Sequence, residues 1–458
     1  MIEVGNNSVN GMFVGASQVA RMYLGADLVY DNTPPAGRTI NVGSGTGMLI
    51  IDGSKLTYEG SPTTAQPGDT IIIAAGTYTA TWPQGAINIV NFNLPSGFCT
   101  IKAAGTLNLD GNIQFRGSTP NKGVGIDFRG TTVTFTTYYP EKIIIDEDGI
   151  GGYERIKIQG IDYEWQTGDQ YLIRHKAHNL AYTSGVAIKD LEISDIEISG
   201  SGFYLPIAVG DINDNIDVGY CEDVKIHDIT CNGPAEVGTH IWVGNTEGFE
   251  VYNIWGDQVQ LPETSFHGRF VYCKGRGDIY NVGITESGGA AAVVQMFSRT
   301  ADQTCRMYNI YSYNSKRYSA AEFRSHFDTV VSGKTFVCKG EGSFVSFWTS
   351  YDTGIFTSTC FDIYTDITTD IQIKNSVAVN PKGGLSVAND NGANPPTIDT
   401  LSCEAVADNS TTLLSAFMVP GPGSILIGGG VAVPGITTDA IETERQDPPT
   451  IGALEGFN

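Results

Sequence analysis

Four residues come closest to a reacting set in this chain: His267 with Arg269, and Arg324 with His326. β-Elimination from a uronate needs a cation to hold the carboxylate and a side chain such as His, Lys, Tyr or Arg to take the proton. These four fit that demand in kind. In "EFRSHFD", Glu322 to Asp328, strand alternation sends Phe323, Ser325 and Phe327 to one side and Glu322, Arg324, His326 and Asp328 to the other. Hydrolysis is the competing chemistry, and it needs two carboxylates roughly 5 to 9.5 Å apart. Glu322 and Asp328 on one strand stand about 20 Å apart, so that pair is excluded. The sequence singles out no pair across neighbouring strands.

The same stretch reverses the sign of the chain. Between His267 and Gly340 there are ten basic and five acidic residues, while the whole chain carries −23. A cationic island suits an anionic polysaccharide, with Glu322 and Arg299 as binding groups and Trp242, Trp348 and Tyr318 as platforms for sugar rings. Histidines 175, 178, 240, 267 and 326 fall in or beside this set of strands. A charged outer face is also what any solvated strand presents, and each aromatic could serve ordinary packing.

Other chemistries are poorly served. No Gly-rich phosphate loop, nucleophile elbow or HExxH motif occurs. The eight cysteines show no CxxC spacing and no His at metal-ligand distance, so they read as buried thiols, and neither metal nor cofactor is expected. A charge of −23 opposes phosphate backbones and anionic membrane surfaces, so nucleic acid and membrane are not expected partners. No apolar run reaches the roughly 18 residues of a membrane span. "MIEVGNNSVNG" lacks the basic start and apolar run of a secretory signal, which points to folding in a cytoplasm.

What must position these groups is a repeat. An alternating phrase recurs as "IKIQGI" (Ile156), "LEISDI" (Leu191), "VKIHDI" (Val224), "FEVYNI" (Phe249), "CRMYNI" (Cys305) and "LSCEAV" (Leu401). Weaker copies include "IIIAAG" (Ile71), "TIKAAG" (Thr100), "IDFRGT" (Ile126), "GDIYNV" (Gly277), "TFVCKG" (Thr335) and "IQIKNS" (Ile371). Alternation rich in β-branched residues is a strand signal. A return about every thirty residues, with Gly, Asn, Asp and Ser between strands, suits one coil of a parallel β-solenoid. The fold expected is all-β, with about twelve coils stacking inward Ile, Val and Phe into columns.

This pattern resembles the right-handed parallel β-helix of pectate-lyase-like proteins and phage tailspikes, over residues 39 to 435. "PGDTIIIAAGTYT" (Pro67 to Thr79) looks like that family's opening coil. "DAIETERQDPPTIGALE" (Asp439 to Glu455) is similar to the closing Arg and Ile-Gly-Ala-x-Glu of bacterial and phage β-helix proteins, without the usual Asp-Gly before the Arg, and is read as a cap over 436 to 458. The scaffold hosts lyases, hydrolases, transferases and inert adhesins, so it does not settle activity.

"MFVGASQVARMYLGADLVYD" (Met12 to Asp31) says nearly the same thing twice at a ten-residue period. Two such units cannot bury a core alone, and "NTPPAGR" (Asn32 to Arg38) behind them reads as a Pro-Gly linker over 34 to 38. Packing over the first coil is one reading. Docking of residues 1 to 33 to other virion proteins is the other, because the segment resembles short repeats of phage virion proteins. The resemblance implies a homotrimeric tailspike or fibre of a virion, assembled in a bacterial cytoplasm, that recognises a host surface polysaccharide. A depolymerase on the same scaffold, lyase before hydrolase, and a structural head fibre are the alternatives.

Overall fold

A computed structural model describes residues 37–94, 96–136, 139–166, 168–176, 185–200, 205–210, 220–233, 239–257, 269–285, 294–298, 304–313, 320–325, 339–348, 359–364, 370–382, 385–390, 397–415 and 418–456, with four short strands between 13 and 31. Among the described residues there is no helix, and the strands stack as a right-handed parallel β-helix. The four N-terminal strands form two antiparallel pairs, Phe13–Val14 with Ser17–Gln18 and Arg21–Leu24 with Asp27–Asp31.

Each coil visits three sheets in turn. The first sheet starts at Thr39–Val42 and Thr70–Ile73 and ends at Asp370–Lys374 and Thr397–Leu401, every pairing parallel. Its innermost column is Ile40, Ile71, Ile101, Ile126, Ile158, Ile193, Ile226, Val251, Ile279, Met307, Gly342, Ile373 and Thr400. From Ile40 to Met307 these side chains are buried, each contributing about 1.5–3 kcal/mol of apolar burial. Gly342 breaks the column without leaving a hole. A Cβ there would stand 2.4 Å from the Phe361 ring, which enters from the third sheet and fills the space.

Thr39–Val42 precedes the first recurrent phrase, so the number of coils differs slightly from the number of phrases. The register also sets which residue of a phrase enters the column, the first Ile of "IIIAAG" (Ile71) and, for "LSCEAV", the residue just before the phrase (Thr400). Several coils place two outward residues between inward ones, the second held at positive φ, such as Arg155, Asp190 and Asp223. That bulge shifts the phrase against a simple alternation.

A one-residue turn joins the first sheet to the second. It is held in the left-handed region by Gly160, Asp195, Asp228, Asn253, Asn281, Asn309, Phe344, Asn375 and Ser402. Gly, Asn and Asp tolerate this conformation, and a Phe there needs outside support. The third sheet runs from Leu49–Asp52 through Glu141–Ile145 and Val294–Ser298 to Ala388–Asp390. Free thiols at Cys99, Cys221, Cys231, Cys273, Cys305 and Cys360 are buried. Burial pushes those of Cys99, Cys221 and Cys231 up to about 12, which makes them packing groups rather than nucleophiles.

The chain ends by turning back. Residues 409–415 and 418–456 lie along the outer face of the second sheet, packing Leu414, Met418, Leu426 and Ile451 on Val377, Val379, Tyr311, Tyr313 and Trp348. Further along, Ala440, Ala453 and Leu454 meet Trp255 and Tyr311. The segment read as a cap from its sequence runs as a strap along the flank.

Candidate functional site

The outer face of the second sheet changes character halfway along. Register aligns Asp162, Glu197, Thr230, Trp255, Gly283, Tyr311, Ser346 and Val377 in one row. Its first three members are polar and line an open groove of about 500 Å³, shared with Arg129, Thr131, Thr132, Asp195 and Asp228. From Trp255 onward the row is apolar or small, and the strap covers it.

Within the groove the charged groups divide into paired and unpaired. Arg129 grips Asp127 through Nε at 2.8 Å and Nη2 at 2.9 Å, and its Nη1 stands 3.5 Å from Asp195. This guanidinium, helped by Lys102, holds the Asp127 carboxyl down to about 2. Asp228 lies 2.7 Å from His227 Nδ1 and accepts from Asn253 Nδ2 at 2.9 Å. Asp162 and Glu197 have no ion-pair or hydrogen-bond partner among the described residues. They are direct register neighbours, so their backbones stand about 4.8 Å apart and both side chains point outward. Retaining glycosidases hold their two carboxyl groups about 5–5.5 Å apart, a separation that side chains on neighbouring strands can reach. Among the described residues no three His, Cys, Asp or Glu side chains converge as a metal site.

Arg445 holds the covered half together. Its guanidinium is 3% exposed and ion-paired at 3.2 Å with Glu455, itself fully buried. It lies 3.6 Å from the centre of the Phe344 ring and donates to Asn309 Oδ1 at 2.9 Å. This is the support that the left-handed Phe344 needs. Burial lowers the Arg445 guanidinium to about 10, against the raising effect of Glu455 and Asp439. From Asn309 a row of turn amides runs back, Asn309 Nδ2 to Asn281 Oδ1 and Asn281 Nδ2 to Asn253 Oδ1, each at 3.0 Å.

Sequence reasoning placed the site on the third sheet. His267, Arg299, His326 and Tyr318 lie outside the described residues. Arg269, Glu322 and Arg324 have described backbones only. Arg324 shares a row with Lys274, Phe297 and Tyr364, and Glu322 shares one with Tyr272, Gln295 and Asp362. Arg269 lies five residues before Lys274, about 16 Å along the strand from the row of Arg324. The register therefore does not bring those two arginines together.

Three other cations of the basic stretch are already engaged. Arg276 pairs with Glu247 at 2.8 Å, Arg306 pairs with Asp278, and Lys274 is buried with its Nζ 5.6 Å from the rings of Trp242 and Tyr272. The expected platforms are likewise committed. Trp242 stacks on Tyr272 at 4.1 Å, and Trp348 packs beneath the strap, edge to face with Tyr313. His175 and His240 are buried, the first 3.9 Å from Cys221 Sγ and the second edge-on to Phe270.

The acidic row escaped notice although it follows a rule. Each member sits four residues after the column residue of its coil: Ile158 and Asp162, Ile193 and Glu197, Ile226 and Thr230. No family model matches the chain, and no curated protein is similar to it.

Proposed function

We propose that the protein is a spike or fibre of a bacteriophage virion whose β-helix recognises a host surface polysaccharide. The observation that carries the binding role is the uncovered flank, where Asp162 and Glu197 stand unpaired among Thr131, Thr132 and Thr230. Carboxylates and hydroxyls spaced along a rigid sheet accept and donate to the vicinal hydroxyls of a sugar chain. Four carboxylates against one guanidinium disfavour an anionic glycan in this groove, in contrast to the one that the basic stretch suggested. Docking through residues 1–33, trimer formation and a place in the virion rest on the doubled N-terminal phrase and the resemblance to phage proteins.

Screening the purified protein against an array of bacterial surface polysaccharides tests the binding role. Binding that weakens about tenfold, or 1.4 kcal/mol, in Glu197→Gln supports it, and the absence of any glycan ligand overturns it. The phage assignment is tested by deleting residues 1–33, which is expected to abolish incorporation into particles.

Depolymerisation is the second reading, favoured by the register of Asp162 and Glu197. One carboxyl group would protonate the leaving oxygen while the other attacks the anomeric carbon, and water, deprotonated by the first group, would then cleave the glycosyl-enzyme ester and free the reducing end. Release of reducing ends by the native chain, lost in Asp162→Asn and in Glu197→Gln, is the expected result.

A further inference from the structure

A second groove, on the other side of the tube and nearer its N-terminal end, has a different chemistry. Ile50, Gln84, Asn88, Val90, Arg116, Ser118, Asp148 and Ile150 are among the residues lining about 510 Å³. Two large exposed apolar side chains line it, Ile50 at 47% and Ile150 at 36%, and Trp82, 88% exposed, sits two residues before Gln84 on the turn beside it. An indole so fully exposed offers an apolar face to a ligand.

The backbone around this groove is pinned. Arg116 Nη1 donates to Pro83 O at 3.0 Å, holding the turn that carries Trp82, and Arg116 Nη2 pairs with Asp148 at 3.0 Å. Asn88 closes the same turn by donating to Gly85 O at 2.8 Å and accepting from Gly85 N at 3.0 Å. On the far side Asp146 accepts from Ile150 N and Gly151 N, both at 2.8 Å, fixing the loop that supplies Asp148 and Ile150. The site is thus formed before any ligand arrives. Among the described residues, the Gln84 amide and the Ser118 hydroxyl have no partner.

We infer that this groove is a binding site for an uncharged sugar chain, with the apolar face of one ring on Trp82 and its hydroxyls on Gln84 and Ser118. The lining carries one guanidinium and one carboxylate, and these neutralise each other. It therefore offers neither an unpaired cation to a uronate nor an unpaired anion to an amino sugar. A flat indole beside free amide and hydroxyl groups matches a pyranose, which has one apolar face and an equatorial belt of hydroxyls. The inference rests on the glycan-binding reading and adds a second place of contact and a ligand class.

The test titrates full-length protein with dextran, maltoheptaose and cellohexaose, and with hyaluronate as the polyanion, following tryptophan emission and calorimetric heat. Trp82 is exposed, so Trp82→Ala is expected to melt as the native chain does. The expected result is binding of an uncharged probe that weakens at least tenfold in Trp82→Ala, several-fold in Gln84→Ala, and little in Glu197→Gln. Binding lost in Glu197→Gln but intact in Trp82→Ala would overturn this site and leave the glycan reading standing, as would binding of hyaluronate alone. If no probe binds and the array also finds no ligand, both fail.

Discussion

One row on the outer face of the second sheet is built in two ways. Around Asp162, Glu197 and Thr230 it is polar and open, while around Trp255, Tyr311 and Val377 it is apolar and roofed by the chain's own C-terminal segment. The backbone is the same in both halves, with parallel pairing and a left-handed single-residue turn. Side chains at one offset therefore decide whether a coil presents a surface or buries it. The turn residues divide along the same line, Asp195 and Asp228 in the open half and Asn253, Asn281 and Asn309 in the covered half. An acid can stay at the turn where water reaches it, and a neutral amide suits Asn281 and Asn309, which are buried.

The largest effect is expected from removing the roof. A chain ending after Val406 would expose Trp255, Tyr311, Tyr313, Trp348, Val377 and Val379 as one apolar stripe. Such a patch exceeds what soluble monomers expose, so the truncated protein is expected to bind a hydrophobic dye and self-associate during sedimentation. If it instead stays monomeric and dye-free, the two halves do not differ as described.

Next comes a comparison of two arginines. Arg445→Ala leaves Glu455 buried without its partner, and a loss of about 3–5 kcal/mol in denaturant unfolding is expected. Arg129→Ala in the open half removes a half-exposed guanidinium, and a loss of about 1 kcal/mol or less is expected at neutral pH. Equal losses would erase the distinction.

The smallest effect is a change of shape in acid. Because the Asp127 carboxyl is held down to about 2 in the folded chain, its contribution is complete above its ordinary value near 4 and disappears as pH falls toward 2. Arg129→Ala lets that carboxyl rise toward its ordinary value. The variant is therefore expected to lose less stability than the native chain between pH 4 and pH 2, measured by urea midpoints. A steeper acid loss in the variant would contradict this assignment.

The tube was legible because its columns repeat. Ile158, Ile193, Ile226 and Val251 recur in the one context that a stacked coil demands, and a search for inward residues finds them. The flank was harder to read. Its row follows the column at a fixed offset, yet Asp162 and Trp255 share no chemistry, so no recurrence links them until the register is known. The strap has no period, and the closing Arg445 gave no sign that its partners would be Asn309 and Phe344, more than a hundred residues upstream. Charge counting along 267–340 also misled where it summed over faces, because Arg276 and Arg306 project from the first sheet beside acidic neighbours.

The turn amides from Asn309 to Asn253 all donate in one direction, and their line begins at the Arg445 guanidinium and ends on the Asp228 carboxylate. A cation at one terminus and an anion at the other match the aligned dipoles between them, as opposite charges do at the two ends of a helix. Length is consequently not a free variable in this stretch. A whole coil spliced between Asp228 and Asn309 extends the line only if it brings its own asparagine, whereas coils added before Asp195 meet no such requirement. Lengthening or shortening of the rod is therefore tolerated best at its N-terminal end.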